Sequence, residues 1–302
     1  MSQHPEDVID CMARMKGDGQ PFVLATVIRT EDATSAKAGA KAVVRADGTV
    51  VGWIGGGCTL GAVRQAAALM LSDGRARLIR VCPKERVAQG PAEAGVELHK
   101  SACPSGGTVE VFVEPILPRP ALIVAGGSPV ARALAELGRR AGFAVTVAAL
   151  PEDQTGFAEA DARIEGFALA GAPRVAAGYV VVATQGKRDR EALAAALSCG
   201  APYVAFVGSR KKAATLRAAM AQMGLPGEQI ESLHAPAGLD IGAATPEEIA
   251  LSILAEIVQE RRKRARSTQP PAFQVEEIEG GSVESRIVAP ALGACHGNDG
   301  RN

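Results

Sequence analysis

Between residues 121 and 223 the sequence alternates short apolar runs with helix-like stretches, and this alternation constrains the fold more than any other feature. Runs rich in Val, Ile and Ala at 121–125, 144–149, 179–183 and 203–207 read as strands. Stretches at 129–141, 189–197 and 209–223 read as the intervening helices. Uninterrupted apolar strands are what burial on both faces requires, so the rhythm predicts an α/β, Rossmann-like doubly wound parallel sheet. Residues 151–178 carry no clear pattern, and no element is assigned there.

The run Glu114-Pro115-Ile116-Leu117-Pro118-Arg119-Pro120 reads as a stiff extended connector. It divides the chain into a smaller α+β domain over 1–115 and the Rossmann-like domain over 116–264. The polar residues 265–302 read as a poorly ordered tail, with Cys295-His296 in it. In the first domain, 5–15 is predicted as a helix with Val8, Ile9, Met12 and Met15 on one face and Cys11 in a packing role. Residues 22–29 predict a strand and 30–41 a loop. Runs at 42–45 and 49–54 flank Asp47-Gly48 as a hairpin. A helix is expected over 59–71, strands over 78–82 and 108–113, and a loop over 84–100.

The hairpin delivers the chain into Gly55-Gly56-Gly57-Cys58, immediately before a helix. Glycines leave backbone amides approachable, and a helix N-terminus carries unpaired N–H groups and partial positive charge. Such a turn can hold a phosphate, and Cys58 sits where the same field favours a thiolate. A second glycine turn, Ser101-Ala102-Cys103-Pro104-Ser105-Gly106-Gly107, precedes the strand at 108. Cys58 and Cys103 are thus the candidate reactive groups, with Gly55, Gly56, Gly57, Gly106 and Gly107 as their cradle. No C-x₂-C pair is present, so a structural zinc site is not expected.

In the second domain the first strand–helix turn is Ala125-Gly126-Gly127-Ser128-Pro129-Val130-Ala131. The dinucleotide fingerprint would need Gly at 126, 128 and 131, and only Gly126 fits. The strand at 144–149 ends in Ala148-Ala149-Leu150 where a ribose-binding acid would stand. Gly126, Gly127 and Ser128 remain candidate cofactor contacts, while NAD(P) itself is not expected. Gly208-Ser209-Arg210-Lys211-Lys212 opens a helix after a strand, so Ser209, Arg210 and Lys211 could hold an anion; an ordinary solvated helix face is the alternative. The loop Pro236-Ala237-Gly238-Leu239-Asp240-Ile241-Gly242 is not needed to end a strand, so Asp240 within it and His234 just before it are possible site groups, with turn and cap roles as the alternative. Thr245, Pro246 and Glu248 read as a capping box for the last helix. The basic cluster at 261–266 reads as solvated, and Cys199 as the buried end of a helix.

Lys+Arg and Asp+Glu both number 33, which argues against nucleic acid as the main partner. Six irregularly spaced cysteines fit a reduced, cytoplasmic setting better than a disulfide framework. The polar start of the chain does not read as a signal peptide, and no apolar stretch reaches the ~18 residues of a membrane span.

Taken together, Gly55-Gly56-Gly57-Cys58, Cys103-Pro104-Ser105-Gly106-Gly107, Gly208-Ser209-Arg210-Lys211-Lys212 and the Pro236–Ala250 run resemble the XdhC/CoxI family over about residues 20–262. The resemblance implies an accessory factor for molybdenum hydroxylases such as xanthine dehydrogenase and carbon monoxide dehydrogenase. It implies binding of the molybdenum cofactor as cargo, as molybdopterin or its cytosine dinucleotide form, with sulfuration and delivery to the apo-enzyme. A cysteine desulfurase is the implied sulfur donor, and a homodimer that closes the site is a further expectation. Cys58 and Cys103 match the family's two cysteines; a Cys58 thiolate would be a soft ligand for the cargo metal. Ser128, Ala149, Gln185 in Thr184-Gln185-Gly186, and Pro104-Ser105 depart from the family pattern. Two rival readings are an NAD(P)-dependent oxidoreductase and a non-catalytic scaffold that docks a sulfur donor on the apo-enzyme.

Overall fold

The computed structural model describes residues 7–87, 95–101 and 106–267. The N-terminal half comprises α1 (Val8–Gly17), β1 (Phe22–Glu31), β2 (Lys41–Arg45), β3 (Val50–Gly52), α2 (Gly57–Asp73), β4 (Arg77–Pro83), α3 (Lys84–Val87), β5 (Val96–Ser101) and β6 (Thr108–Ile116). Its strands form one sheet in the order β3-β2-β1-β6-β4-β5. All pairings are antiparallel except β4 with β5.

Alternation along the strands sorts the side chains. Val23, Ala25, Val27, Ile79, Val81, Val109, Val111 and Val113 face α2, whose Val63, Ala66, Ala67 and Met70 complete that core. A small second core under α1 holds Cys11, Met15, Phe22 and Val43. The expected apolar face of α1 is corrected here: Ile9 is 69% exposed. It lies roughly 200° around the helix from the buried Cys11. Cys11 packs, as expected.

Two sequence expectations in this half also need correction. Residues 84–100 contain α3 and the edge strand β5, not a loop throughout. Val96-Glu97-Leu98-His99 lacks the apolar continuity of a central strand because β5 pairs only on one side and is half-buried. The proline connector begins later than expected, since β6 runs to Ile116 with Pro115 opposite Val23. Pairing with β4 ends at Val113, so the missing N–H of Pro115 interrupts no ladder on that side.

The second half is built from β7 (Ala121–Ala125), α4 (Pro129–Arg140), β8 (Ala144–Ala149), β9 (Ala162–Glu165), β10 (Tyr179–Val182), α5 (Asp189–Ser198), β11 (Tyr203–Phe206), α6 (Arg210–Gln222), α7 (Gly227–Glu231) and α8 (Pro246–Ser267). The sheet is parallel in the order β11-β10-β7-β8-β9. One face packs α4 and α8 through Leu134, Ile253 and Ile257. The other packs α5, α6 and α7 through Leu193, Met220 and Ile230. This is the doubly wound α/β fold that the strand–helix rhythm predicts. Residues 151–178 do contain structure: β9 and three short 3₁₀ turns. β9 escapes a pattern search because it has four residues at the sheet edge, alternating between half-buried and exposed.

The start of α8 is explained locally. Glu248 Oε2 accepts from the N–H groups of Thr245 (3.0 Å) and Ala244 (2.7 Å), and Thr245 Oγ1 accepts from Glu248 N (3.3 Å). That reciprocal pattern is a capping box. Thr245→Ala is expected to cost about 1 kcal/mol, read as a lower urea midpoint with an unchanged denaturant slope. The basic residues that follow are not all solvated: Arg261 stands over the Phe143 ring (5.4 Å) and Arg264 over Tyr179 (6.0 Å). Among the described residues no helix is long and apolar enough to cross a membrane.

Candidate functional site

The first candidate site forms at one end of the N-terminal sheet. Helix α2 starts earlier than the sequence suggests, so Cys58 lies inside its first turn and Gly56 is the N-cap. No side chain caps this end, and no acidic residue stands in the first turn. Gly56 and Gly57 are exposed, and a Cβ at Gly57 would meet nothing within 4 Å. Gly55 is different. It has φ +119°, and its Cβ would stand 3.2 Å from that of Ala36. One glycine therefore makes the bend, while the next two leave amide edges open to an incoming anion. Cys58 is half-buried and free, packed at its base against the α2 core. It is not sealed from solvent.

The second glycine turn approaches the same short segment. Ala33 bridges Gly106, and a Cβ on Gly107 would fall 2.4 Å from Thr34 Cγ2 and 2.5 Å from the Ala33 carbonyl. At the other end of this segment, Ser35 Oγ would lie 3.8 Å from a Cβ on Gly56. The stretch Ala33-Thr34-Ser35-Ala36 thus touches both glycine turns. Thr34 Oγ1 donates to the Ala36 carbonyl (2.9 Å), and Arg86 holds Asp32 at 2.7 Å just ahead of it. From sequence this stretch reads as plain loop; its Ala, Ser and Thr composition gives no periodic signal. Cys103 lies outside the described residues, as does Cys295.

The second candidate site is the carboxyl edge of the parallel sheet, where strand order reverses between β7 and β10 and doubly wound folds take their ligands. Gly126 has φ +129°, and a Cβ there would stand 2.3 Å from the Ala183 carbonyl oxygen. Gly127 is pressed by Asp153, whose carboxyl carbon would be 2.3 Å from a Cβ at that position. Both glycines are therefore required by the protein's own backbone and side chains. Ser128 is the N-cap of α4, its Oγ accepting from Ala131 N at 3.1 Å, which occupies the hydroxyl in capping. Ser209 caps α6 in the same way (3.3 Å), with Arg210 and Lys211 exposed beside it.

An acid does stand in the turn after β8, but it lies against the glycine turn. Asp153 is buried, and Lys187 Nζ lies 3.3 Å from it. Leu150, Phe167 and Thr184 line the same spot. Asp153 is hidden from sequence reading because the Leu150-Pro151 turn shifts it beyond the strand end. Beside it, Asp189 accepts from Thr184 Oγ1 and from Gly186 N (3.0 Å) and pairs with Lys212 at 2.5 Å. Burial alone would raise the Asp189 carboxyl; the bonds from Lys212, Thr184 and Gly186 outweigh it and hold the group below the usual carboxylate range.

The loop at 234–242 reaches the same edge. His234 continues the sheet beside β11, bridging Ala205. Glu256 on α8 lies 2.8 Å from His234 Nδ1 and accepts from Tyr203 OH (3.0 Å) and Gly238 N (2.6 Å). A carboxylate can only accept, so Nδ1 carries the proton. Gly238, at φ +94°, lets the loop lie against α8; a Cβ would strike Ser252 Oγ at 2.3 Å. His234 is thus an anchor of the loop. Asp240 projects, exposed, near its tip. Among the described residues no group of three or more His, Cys, Asp and Glu side chains could hold a metal ion.

Residues 122–257 match the model of the XdhC Rossmann domain, and residues 16–81 match that of the XdhC and CoxI family. The chain belongs to the XdhC and CoxI family. This XdhC/CoxI protein is 31% identical over 254 residues to the uncharacterized protein YqeB of Escherichia coli (strain K12), a match taking in 82% of this chain and 45% of that one. It is 33% identical over 166 residues to a probable xanthine dehydrogenase subunit of Bacillus subtilis (strain 168), over 52% of this chain and 48% of that one. The chain spans about half the length of these curated relatives. A crystal structure of a xanthine dehydrogenase from Bacillus halodurans aligns over 88% of this chain and 98% of its own, at 21% identity and a TM-score of 0.44.

Proposed function

We propose that this XdhC/CoxI protein is an accessory factor that holds the molybdenum cofactor as cargo for a molybdenum hydroxylase of the xanthine dehydrogenase type. The observation that carries this reading is the first turn of α2, uncapped and open at Gly56 and Gly57, with the free, partly exposed thiol of Cys58 in it. The Gly57 and Cys58 amides would take a phosphate of the cargo, and the Cys58 sulfur would lie against its metal end as a soft donor. Family membership and the name of the Bacillus subtilis relative support the choice of cargo and client. In this reading the factor presents the cofactor to a cysteine desulfurase for sulfuration and then to the apo-enzyme.

Metal and pterin content after oxygen-free purification tests the proposal. Wild-type protein is expected to carry pterin and to activate the apo-hydroxylase. Cys58→Ala should lose at least about tenfold in both, which corresponds to about 1.4 kcal/mol of cargo binding, with its unfolding midpoint unchanged. Full activation by Cys58→Ala would remove Cys58 from the mechanism. Wild-type protein that activates its client without carrying pterin would favour a docking scaffold.

The Rossmann-domain match raises nicotinamide binding as a second reading. The Asp153–Lys187 closure over Gly127 opposes it, because a pyrophosphate would have to displace a buried carboxylate. Micromolar NADH or NADPH binding by fluorescence would restore that reading.

A further inference from the structure

The sheet face opposite α2 carries a cleft of about 260 Å³ that borders the first candidate site through Arg86 and Thr108. Arg29, Glu110, Arg80 and Leu98 lie in one register row across β1, β6, β4 and β5. Arg86, Glu31 and Thr108 close the upper side, and Cys82 lies at the buried end. Arg80 Nε donates to Glu110 at 2.7 Å, with 28% and 11% of the two side chains exposed. Arg29 pairs with Glu31 at 2.6 Å, and Arg86 reaches Glu31 (3.4 Å), Asp32 (2.7 Å) and Thr108 (3.3 Å).

A solvated ion-pair face is the bland account, but the placement argues against it. β4 and β6 are inner strands, and the neighbouring register row on this face carries Phe112 and Leu78. Taking Arg80 and Glu110 largely out of water costs more than an apolar pair would, so the pair is weak evidence for a stabilising role. The lining also has an informative balance. Three guanidiniums and two carboxylates converge, with Asp32 answering Arg86 from the rim. A bare anion would meet Glu31 and Glu110, and a bare cation would meet three arginines. A molecule carrying both charges meets a partner of opposite sign for each, since arginines and carboxylates alternate across the row. The volume falls below the ~300–1,000 Å³ of drug-sized sites, which suits a small metabolite. Leu98 and Cys82 offer a short uncharged wall. Burial pushes the Cys82 thiol up against the opposing pull of Arg80 and Arg86, so that wall stays neutral.

We propose that this cleft binds a free α-amino acid or a similarly small zwitterion, its carboxylate on the arginines and its ammonium on Glu31 and Glu110. Arg29 and Glu31 are exposed enough, at 62% and 41%, to open for it without disturbing the core. Such binding does not depend on the cofactor reading.

Calorimetry and thermal unfolding on the full chain test it. The probes are L-serine, L-cysteine and L-methionine, each with its matching amine and des-amino acid, and inorganic phosphate. At least one amino acid is expected to bind about tenfold or more tightly than its amine and des-amino counterparts, the worth of one charge-assisted contact. Arg29→Gln and Arg86→Gln should weaken that binding by a similar factor with little change in unfolding midpoint. Glu110→Gln, if it folds, should erase the preference for the amino acid over the des-amino acid. Phosphate or a des-amino acid binding as tightly as any amino acid would overturn the proposal, as would no binding at millimolar concentration.

Discussion

Glu256→Ala is expected to lower the unfolding free energy by about 3–5 kcal/mol. The carboxylate serves three donors at once: His234 Nδ1, Tyr203 OH and Gly238 N. Truncation leaves all three facing a void between β11 and α8, where Tyr203 is 1% exposed. Urea denaturation would read the loss as a shifted midpoint. A result under ~1 kcal/mol, the scale of a surface contact, would show that the network does not hold the loop. The pH dependence adds a second reading. Burial would raise the Glu256 carboxyl, but the bonds from His234, Gly238 and Tyr203 hold it below its ordinary value. A group depressed on folding contributes stability that is complete above its unfolded pKa and fades as pH falls through the folded one. The gap between wild type and Glu256→Ala should therefore be constant near neutrality and narrow once pH drops below the ordinary carboxylate range. Glu256→Gln should lose less at neutral pH, since its amide oxygen still accepts.

The other large effect is expected at Gly126→Ala, at about 3 kcal/mol or more. A left-handed backbone at φ +129° imposes strain of ~1–3 kcal/mol on a residue with a Cβ. Overpacking adds a similar amount, because that Cβ would fall 2.3 Å from the Ala183 carbonyl at the end of β10. Loss of the native fold, or a fall of many degrees in midpoint by circular dichroism, is the expected result. Gly57→Ala supplies the contrast. Its Cβ meets nothing within 4 Å, so the substitution should be neutral or gain up to ~1 kcal/mol from helix propensity. If the α2 turn holds cargo, Gly57→Ala should still reduce retained pterin. A stable variant with full pterin would detach the amide edge from cargo binding.

How far the sequence foretells this molecule depends on which interactions are local. Strands such as β7 and β10, buried on both faces, announce themselves as uninterrupted apolar runs. The capping box of α8 is also local, a matter of Thr245 and Glu248 and their neighbouring amides. Edge strands are harder. β5 and β9 need only half a face buried, so their composition stays mixed. The site is legible where a glycine marks a backbone constraint, as at Gly55 and Gly126. It is not legible where partners are remote. Nothing in Leu150-Pro151-Glu152-Asp153 shows that Asp153 will rest on Gly127 and meet Lys187, 34 residues further on. The role of Glu256 is equally hidden, because a lone glutamate on a helix reads as solvent-facing until Tyr203 and His234 are in place.

Because the four residues Ala33 to Ala36 lean on Gly106 and Gly107 at one end and on Gly55 at the other, the two glycine turns share a single tether. A ligand that drew one glycine turn outward would tug the other with it. If the α2 turn holds cargo as proposed, its arrival and departure would be felt at both, as when one end of a short strap is lifted.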